Sequence, residues 1–400
     1  MVATTPFHER LSELNDQHLY THWQGYLSAL RYSPAPKHEY FAVRGSVGIF
    51  DTSPLDKYRV SGPDAEQFLA GLLVRDVTQL RPGRAAYTLW CDDRGFVMQD
   101  GVLFRHDEDE FLLTAARPAL AWLTSHRHHL KVEIEDVSGR YGMLAVQGPR
   151  SRAVLSALTD VVDRLGYFEL APATVAGVEV TLSRTGYTGD LGFELTVPAE
   201  QAITVLDAVL GAGADHSLRP FGEEALMMLR TEAGLPLIDV EWTDSTMAFS
   251  DEQRVTPTEL GMDWMLKGVR EGRRFIGSDA IRRELRDGTS RWATTGIVVD
   301  WEDWDRTYRD AGLLPTKDPH VLPWESWLRD GAGDQVGYAT SLMYSPMLQR
   351  HIGIARVAPD LAAPGTAVHL ETTVHHRTEL VGARTRPLPF VNPERKTATP

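Results

Sequence analysis

Apolar positions along the first thirty residues recur at intervals of three and four, at Leu11, Leu14, Leu19 and Trp23 with His18 between them. That spacing predicts a helix over residues 8–30. The pattern then changes. SVGIFDTSPLDKYRVSG (46–62) reads as a strand, a turn at Ser53-Pro54 and a second strand. GPDAEQFLAGLL opens a helix, with Pro63 in its first turn and Ala65, Phe68, Leu69 and Leu72 along one face. RAAYTLWCDDRGFVMQDGVLFR reads as a hairpin, with strands at 87–91 and 96–104 around Asp92-Asp93-Arg94-Gly95. DEFLLTAA is a further strand and ARPALAWLTSHRHHL a helix. MLAVQGPRS runs from a strand through a Gly-Pro turn into a helix, and VEVTLSRTGYTGDLGFELTV forms two strands about a glycine turn. Helices follow at 200–211 and 221–233.

Residues 240–258 show no period and read as a long loop, and the Asp-, Trp- and Pro-rich stretch 300–325 reads as a boundary or insertion. From residue 333 short β-like segments dominate, which predicts a small β domain. Strands in runs mixed with helices, rather than strict βαβ alternation, indicate an α+β chain.

Composition narrows the function classes. The 400 residues allow two or three domains, and 42% hydrophobic content supports a substantial core. No apolar run is long enough to span a membrane, so no membrane association is expected. The N-terminus lacks a secretory pattern, and the single cysteine, Cys91, excludes an intrachain disulfide. Both point to the cytoplasm. A net charge of −14 argues against nucleic-acid binding, although a local arginine cluster can still hold a small anion. The chain carries no GxGxxG after a strand, no P-loop and no GxSxG elbow. The histidines of SHRHHL (126, 128, 129) and VHHRT (375, 376) read as solvated basic faces, and no metal site is expected.

The stretch SRTGYTGDLGFEL (183–195) places glycines at 186, 189 and 192, then a carboxylate, Glu194. It resembles the signature of the glycine-cleavage T-protein family, the aminomethyltransferases and their folate-dependent relatives. Further matches follow in order: AVRGSVGIFDTSPLDKYRVSGPDA (42–65), AAYTLWCDDRGFVMQDGVLF (85–104), LAVQGPRS (144–151), LRTEAGLPL (229–237), ELGMDW (259–264), RFIGSDAI (274–281) and GYATSLMYSPMLQRHIGIARV (337–357). The resemblance covers residues 5–390. It implies a three-domain cloverleaf fold around a central channel that holds tetrahydrofolate. The first domain would be discontinuous, 1–57 plus 140–255, followed by a second at 58–139 and a C-terminal β-rich domain at 285–392.

The resemblance also assigns site residues. Glu194 would hydrogen-bond the amino-pyrimidine edge of the pterin, and the glycines would let the loop lie close to that flat ligand. Asp100, in FVMQDGVLF, would be the catalytic carboxylate that orients N5 and stabilises charge; Gln99 replaces an acid the family commonly carries beside it. Tyr87 and Tyr187 would line the folate. Thr114, in place of an Asn, and Arg184 would be further contacts, with ion pairing to Glu194 or Glu232 as the other role for Arg184 and Arg230.

Departures from the family mark the substrate end. Pro54-Leu55-Asp56 stands where T-proteins carry His-Met-Gly, Leu226-Met227 where they carry Arg-Asp, and the 240–258 segment is longer. The expected activity is therefore transfer of a methyl group from a small methylated substrate (a sulfonium, an amine or a methoxy-aromatic) to N5 of tetrahydrofolate. H-protein is not the expected partner. The alternatives are an aminomethyltransferase of glycine cleavage, a non-catalytic folate-binding protein, and a domain working with a separate flavin subunit. Trp23, Tyr26 and Trp242 are pieces for a cation cage, and Tyr32, Tyr187 and Tyr344 are candidate proton donors.

Overall fold

The structure, a computed structural model, describes residues 2–399. The chain forms two compact units. The first holds the residues up to Trp90, Gln99–Leu226 and the tail from Asn392; the second holds Cys91–Met98 and Met227–Val391.

In the first unit the N-terminal segment departs from the predicted long helix. A short helix, His8–Glu13, is followed by an antiparallel hairpin, Leu19–Trp23 with Tyr26–Arg31. Its two-residue turn takes positive φ at Gln24 (48°) and Gly25 (87°), the geometry that matches strand twist. Tyr20, Trp23 and Tyr26 are aromatic residues that favour strands, and here they override the three-and-four spacing.

Two sheets build the rest of this unit. The larger has six strands in the order Leu170–Val175, Val178–Ser183, Gly192–Pro198, Tyr141–Gln147, Gly48–Asp51 and Arg219–Pro220. The helices Ser151–Ser156 and Ala202–Gly213 pack on it, burying Val154, Leu155, Val205, Leu206 and Val209 against strand residues such as Leu144, Phe193 and Leu195. The smaller has five strands in the order Arg84–Cys91, Val97–Asp107, Glu110–Ala115, Asp56–Ser61 and Glu133–Asp136. Backbone bonds from Ala85 N to Phe168 O (2.9 Å) and from Leu170 N to Gly83 O (3.0 Å) join the two edges. Ala85, Phe104, Met143 and Leu170 bury a common apolar cluster beside that join.

The second unit contains a closed six-stranded barrel: Ala293–Val299, Arg350–Val357, Gln335–Ser345, Ser326–Arg329, Ala367–Val374 and Arg377–Arg386, in that spatial order. It begins well before residue 333, because Ala293–Val299 closes the ring between Arg350–Val357 and Arg377–Arg386. The stretch read as an insertion contains a helix, Trp301–Asp310. Asp300 caps it by accepting from the backbone N–H of Glu302 and Asp303. Its Trp304 and Tyr308 are buried in the barrel's core cluster.

A buried ionic network ties the chain after the Glu223–Glu232 helix to the barrel within this unit. Arg230 Nη1 donates to Glu241 Oε2 at 2.8 Å and Nη2 donates to Ser341 Oγ at 2.8 Å. Thr340 Oγ1 and Ser341 Oγ donate to Glu241 Oε1 at 2.9 and 2.5 Å. Arg230 therefore pairs with Glu241 and not with Glu232, whose carboxylate accepts from Ser345 Oγ at 2.5 Å. Arg230 is fully buried, so removing one partner strands a charge out of water. Arg230→Gln is expected to lower the unfolding free energy by about 3–5 kcal/mol. Urea denaturation followed by tryptophan fluorescence measures this, and a loss below about 1 kcal/mol would remove the network from its structural role.

Candidate active site

The adjacent strands Arg84–Cys91 and Val97–Asp107 bring Tyr87 and Asp100 together. The Tyr87 hydroxyl donates to Asp100 Oδ2 at 2.9 Å. Burial pushes the Asp100 carboxyl up to about 6, while the Tyr87 hydrogen bond acts in the opposite direction. A carboxyl in that range holds or releases a proton near neutrality, the property expected of an acid–base or charge-stabilising group. The next residue makes the local path possible. A Cβ at Gly101 would lie 1.8 Å from the Thr114 carbonyl oxygen, so only glycine fits. Thr114 itself is buried and its hydroxyl is engaged within the sheet, accepting from Val102 N (3.0 Å) and donating to Val102 O (3.2 Å). It supports the pairing of these two strands.

Glu194 lies on Gly192–Pro198, paired with Ser183 and Ala145 on its two neighbours. Thr185 Oγ1 donates to its Oε2, and Ser183 Oγ lies 2.7 Å from Thr185 Oγ1. Burial raises the Glu194 carboxyl above its usual range, with the Thr185 bond opposing the shift. Its Oε1 makes no hydrogen bond among the described residues.

The glycine loop has a reason in the protein itself. A Cβ on Gly186 would meet the Gln147 amide at 2.1–2.6 Å, and one on Gly192 would meet it at 2.2–2.4 Å. Gln147 fills that space, its Nε2 donating to the carbonyls of Thr185 and Phe193 (3.2 Å each) and its Oε1 accepting from Thr188 Oγ1 (2.9 Å). Only Gly189 takes a positive φ, 71°. Asp190 completes the loop as a buried anion, held by a two-pronged contact from Arg395 (2.7 and 2.8 Å), with Arg44 at 3.7 Å. Tyr187 sits half-buried within this braced loop.

Arg184 is a correction. It pairs with neither Glu194 nor Glu232. It is buried, and its guanidinium donates to the carbonyls of Leu165, Arg395, Lys396 and Ala398 at 2.8–3.2 Å, clamping the C-terminal tail.

The residues proposed for the substrate divide between the two units. Tyr32 lines a cavity in the first unit with Tyr20, Phe50, Asp51 and Phe221. Trp23 is half-buried with its ring 6.2 Å from Phe50. In the second unit Trp242 is buried, and Tyr344 donates to Gln349 Oε1 at 2.9 Å. Neither Trp242 nor Tyr344 joins the Tyr32 cavity. Asp51 and Gln147 escaped the sequence reading. Gln147 was visible in the quoted LAVQGPRS, but nothing along the chain signals that its amide fills the glycine loop.

The Gln99 Oε1 is buried without a partner among the described residues. Among the described residues no group of three or more His, Cys, Asp or Glu could hold a metal ion, and no helix is long and apolar enough to cross a membrane.

Relatives of this chain define the class of protein to which it belongs. The family model "GCVT N-terminal domain" matches residues 7–269, and "Glycine cleavage T-protein C-terminal barrel domain" matches 309–392. The chain is 36% identical to an aminomethyltransferase of Geobacillus kaustophilus, over 88% of this chain and 90% of that one. It is 34% identical to an aminomethyltransferase of Thermus thermophilus, over 92% and 93% respectively. The glycine cleavage system aminomethyltransferase T from Bartonella henselae has the same fold, with a TM-score of 0.82 at 24% identity, covering 98% of this chain and 99% of that one. The chain belongs to the glycine-cleavage T-protein family. That family uses tetrahydrofolate as its one-carbon acceptor, and the protein is a tetrahydrofolate-dependent one-carbon transferase.

Burial of Asp100 has a consequence for stability. Its folded-state value, about 6, lies above the ordinary 3.8, so the folded protein holds this proton more tightly than the unfolded chain. The resulting stabilisation is full below the unfolded value and is lost as pH rises through the folded one. Asp100→Asn is therefore expected to match the wild type in melting temperature near pH 4 and to exceed it by a few degrees above neutrality. Thermal melts across that range check this; a variant no more stable than wild type in the alkaline arm would mean that the folded state satisfies the ionised carboxylate.

Proposed function

We propose that this protein is an aminomethyltransferase, passing a one-carbon unit from an amine-bearing donor to tetrahydrofolate in the cytoplasm. The observation that carries the reading is the Tyr87–Asp100 pair, a half-buried carboxyl poised near 6 with one oxygen held by a phenol. Extensive similarity to relatives named aminomethyltransferase supports the choice of group transferred.

Bound tetrahydrofolate supplies the nucleophilic N5. The protein's part is to bind, orient and balance charge. Glu194 accepts from the amino-pyrimidine edge through Oε1 while Thr185 holds Oε2. Tyr87 fixes Asp100 Oδ2, and Oδ1 would be the oxygen left to carry a proton or a compensating negative charge for the reacting nitrogen. Tyr187, on a loop braced by Gln147 and Asp190, would offer its ring to the heterocycle.

A second reading, demethylation of a small methylated substrate, is favoured by Pro54-Leu55-Asp56 and Leu226-Met227, which replace the T-protein's His-Met-Gly and Arg-Asp. One assay separates the two. Incubation with tetrahydrofolate and aminomethyl-loaded H-protein is expected to release ammonia. Silence there, with 5-methyltetrahydrofolate forming from methylated amines or sulfoniums, selects demethylation. In either case Glu194→Gln is expected to weaken folate binding by roughly tenfold or more, the loss of a charged hydrogen-bond acceptor. Anaerobic calorimetry measures it, and unchanged affinity would remove Glu194 from the folate site.

A further inference from the structure

Two charges flank Tyr187 on the glycine stretch, Arg184 three residues before it and Asp190 three residues after it. Both are buried, at 2% and 6% exposure. Both find compensation in the tail from Asn392, which belongs to the same unit. Of the four carbonyls that take the Arg184 guanidinium, three lie on that tail: Arg395 and Lys396 at 3.2 Å each and Ala398 at 2.8 Å. The fourth is Leu165 at 3.2 Å. Asp190 accepts from Arg395 through both oxygens, Nε to Oδ1 at 2.7 Å and Nη2 to Oδ2 at 2.8 Å. It also accepts from Leu191 N at 2.8 Å. Arg44 lies at 3.7 Å, outside hydrogen-bond range, and its Nη1 donates to the Thr188 carbonyl at 2.9 Å.

The two grips differ in kind. Arg184 holds backbone carbonyls, a contact open to any residue type on the tail. The Arg395 fork is a side-chain contact, and its planar pair of N–H donors matches a carboxylate as no other side chain does. Its own side chain is 42% exposed while that of Asp190 is fully buried. A substitution at Arg395 therefore removes the fork without opening the core. It strips the buried Asp190 of its two shortest charged contacts, and a carboxylate so stripped is driven toward water. The segment that must then move is short. Asp190 follows Gly189, which already holds a positive φ of 71°, and leads through Leu191 into the strand Gly192–Pro198 that carries Glu194.

We propose that the tail from Asn392 is a latch on the glycine loop, and that Arg395 is a positioning residue for tetrahydrofolate, acting through Asp190 on Tyr187 and on the strand that presents Glu194. The inference rests on the reading of Glu194 and Tyr187 as folate contacts. Arg395 acts without touching the ligand. With the latch seated, the loop is ordered before binding. With it released, the ligand must order the loop as it enters, a cost that falls on affinity and not on the transfer step.

The test uses the full chain with tetrahydrofolate as the probe, titrated anaerobically by calorimetry. Arg395→Ala is expected to weaken binding by about tenfold. Arg395→Lys keeps the charge without the fork and is expected to recover part of that loss. In whichever transfer assay the wild type turns over, Arg395→Ala is expected to raise KM for tetrahydrofolate and to keep kcat at saturation within about twofold. Asp190→Asn removes the buried charge that the fork serves, so adding Arg395→Ala in that background is expected to cost less than about twofold in affinity. Thermal melts of the same samples separate a merely structural tail, which would lower the melting temperature of Arg395→Ala and leave its folate affinity unchanged. That result, an Arg395→Lys no better than Arg395→Ala, or the full loss persisting beside Asp190→Asn overturns the proposal. Wild type and Arg395→Ala binding tetrahydrofolate equally well rejects the latch and leaves the folate reading standing. A wild type that binds no tetrahydrofolate rejects the folate reading, and the positioning role with it.

Discussion

The amide of Gln147 is the contact on which the glycine loop of this protein depends. It donates to the carbonyls on both sides of the glycine loop, accepts from Thr188, and occupies the space left by Gly186 and Gly192. A side chain at either glycine would displace it. Loss of the amide would leave buried carbonyls without a donor in a region closed to water. The strand that presents Glu194 and the loop that presents Tyr187 are both tied to this one group. The loop is fixed before any ligand arrives, which limits the ordering that binding must impose.

Two buried carboxylates are placed at a cost to the fold. Asp100 and Glu194 are both raised by burial, and each shift is opposed by only one or two hydrogen bonds. The buried charges with structural duties are treated differently. Glu241 takes Arg230 and two hydroxyls, and Asp190 takes Arg395 through both oxygens. Saturated pairs hold the framework. The under-saturated acids remain available to a ligand, a division expected where function competes with stability.

Much of the local structure was legible along the chain. The strand–turn–strand at 46–62, the hairpin around Asp92-Gly95 and the strands flanking the glycine loop all occur as their patterns imply. The N-terminal hairpin was not legible, because Leu11, Leu14, His18, Leu19 and Trp23 satisfy a helical spacing, and the aromatic preference and the Gln24-Gly25 turn decided otherwise. The first barrel strand, Ala293–Val299, was missed because a glycine-interrupted segment gains its strand character only when two distant strands close on it. At the site, Asp100 and Glu194 were marked by motif. The cavity lined by Tyr32 and Asp51 was not, because it is assembled from segments near residues 8, 20, 30, 50 and 221.

By itself the sequence determined the family and most of the strands, because those follow from local periodicity and from motifs of fixed spacing. Tertiary structure alone decided what each buried charge faces. Arg230 reaches Ser341 across 111 residues and Arg184 reaches Ala398 across 214. A buried charge must find its partner through space, and the acid that motif and proximity in the chain suggest, Glu232 for Arg230 or Glu194 for Arg184, is not the one that packing brings within reach.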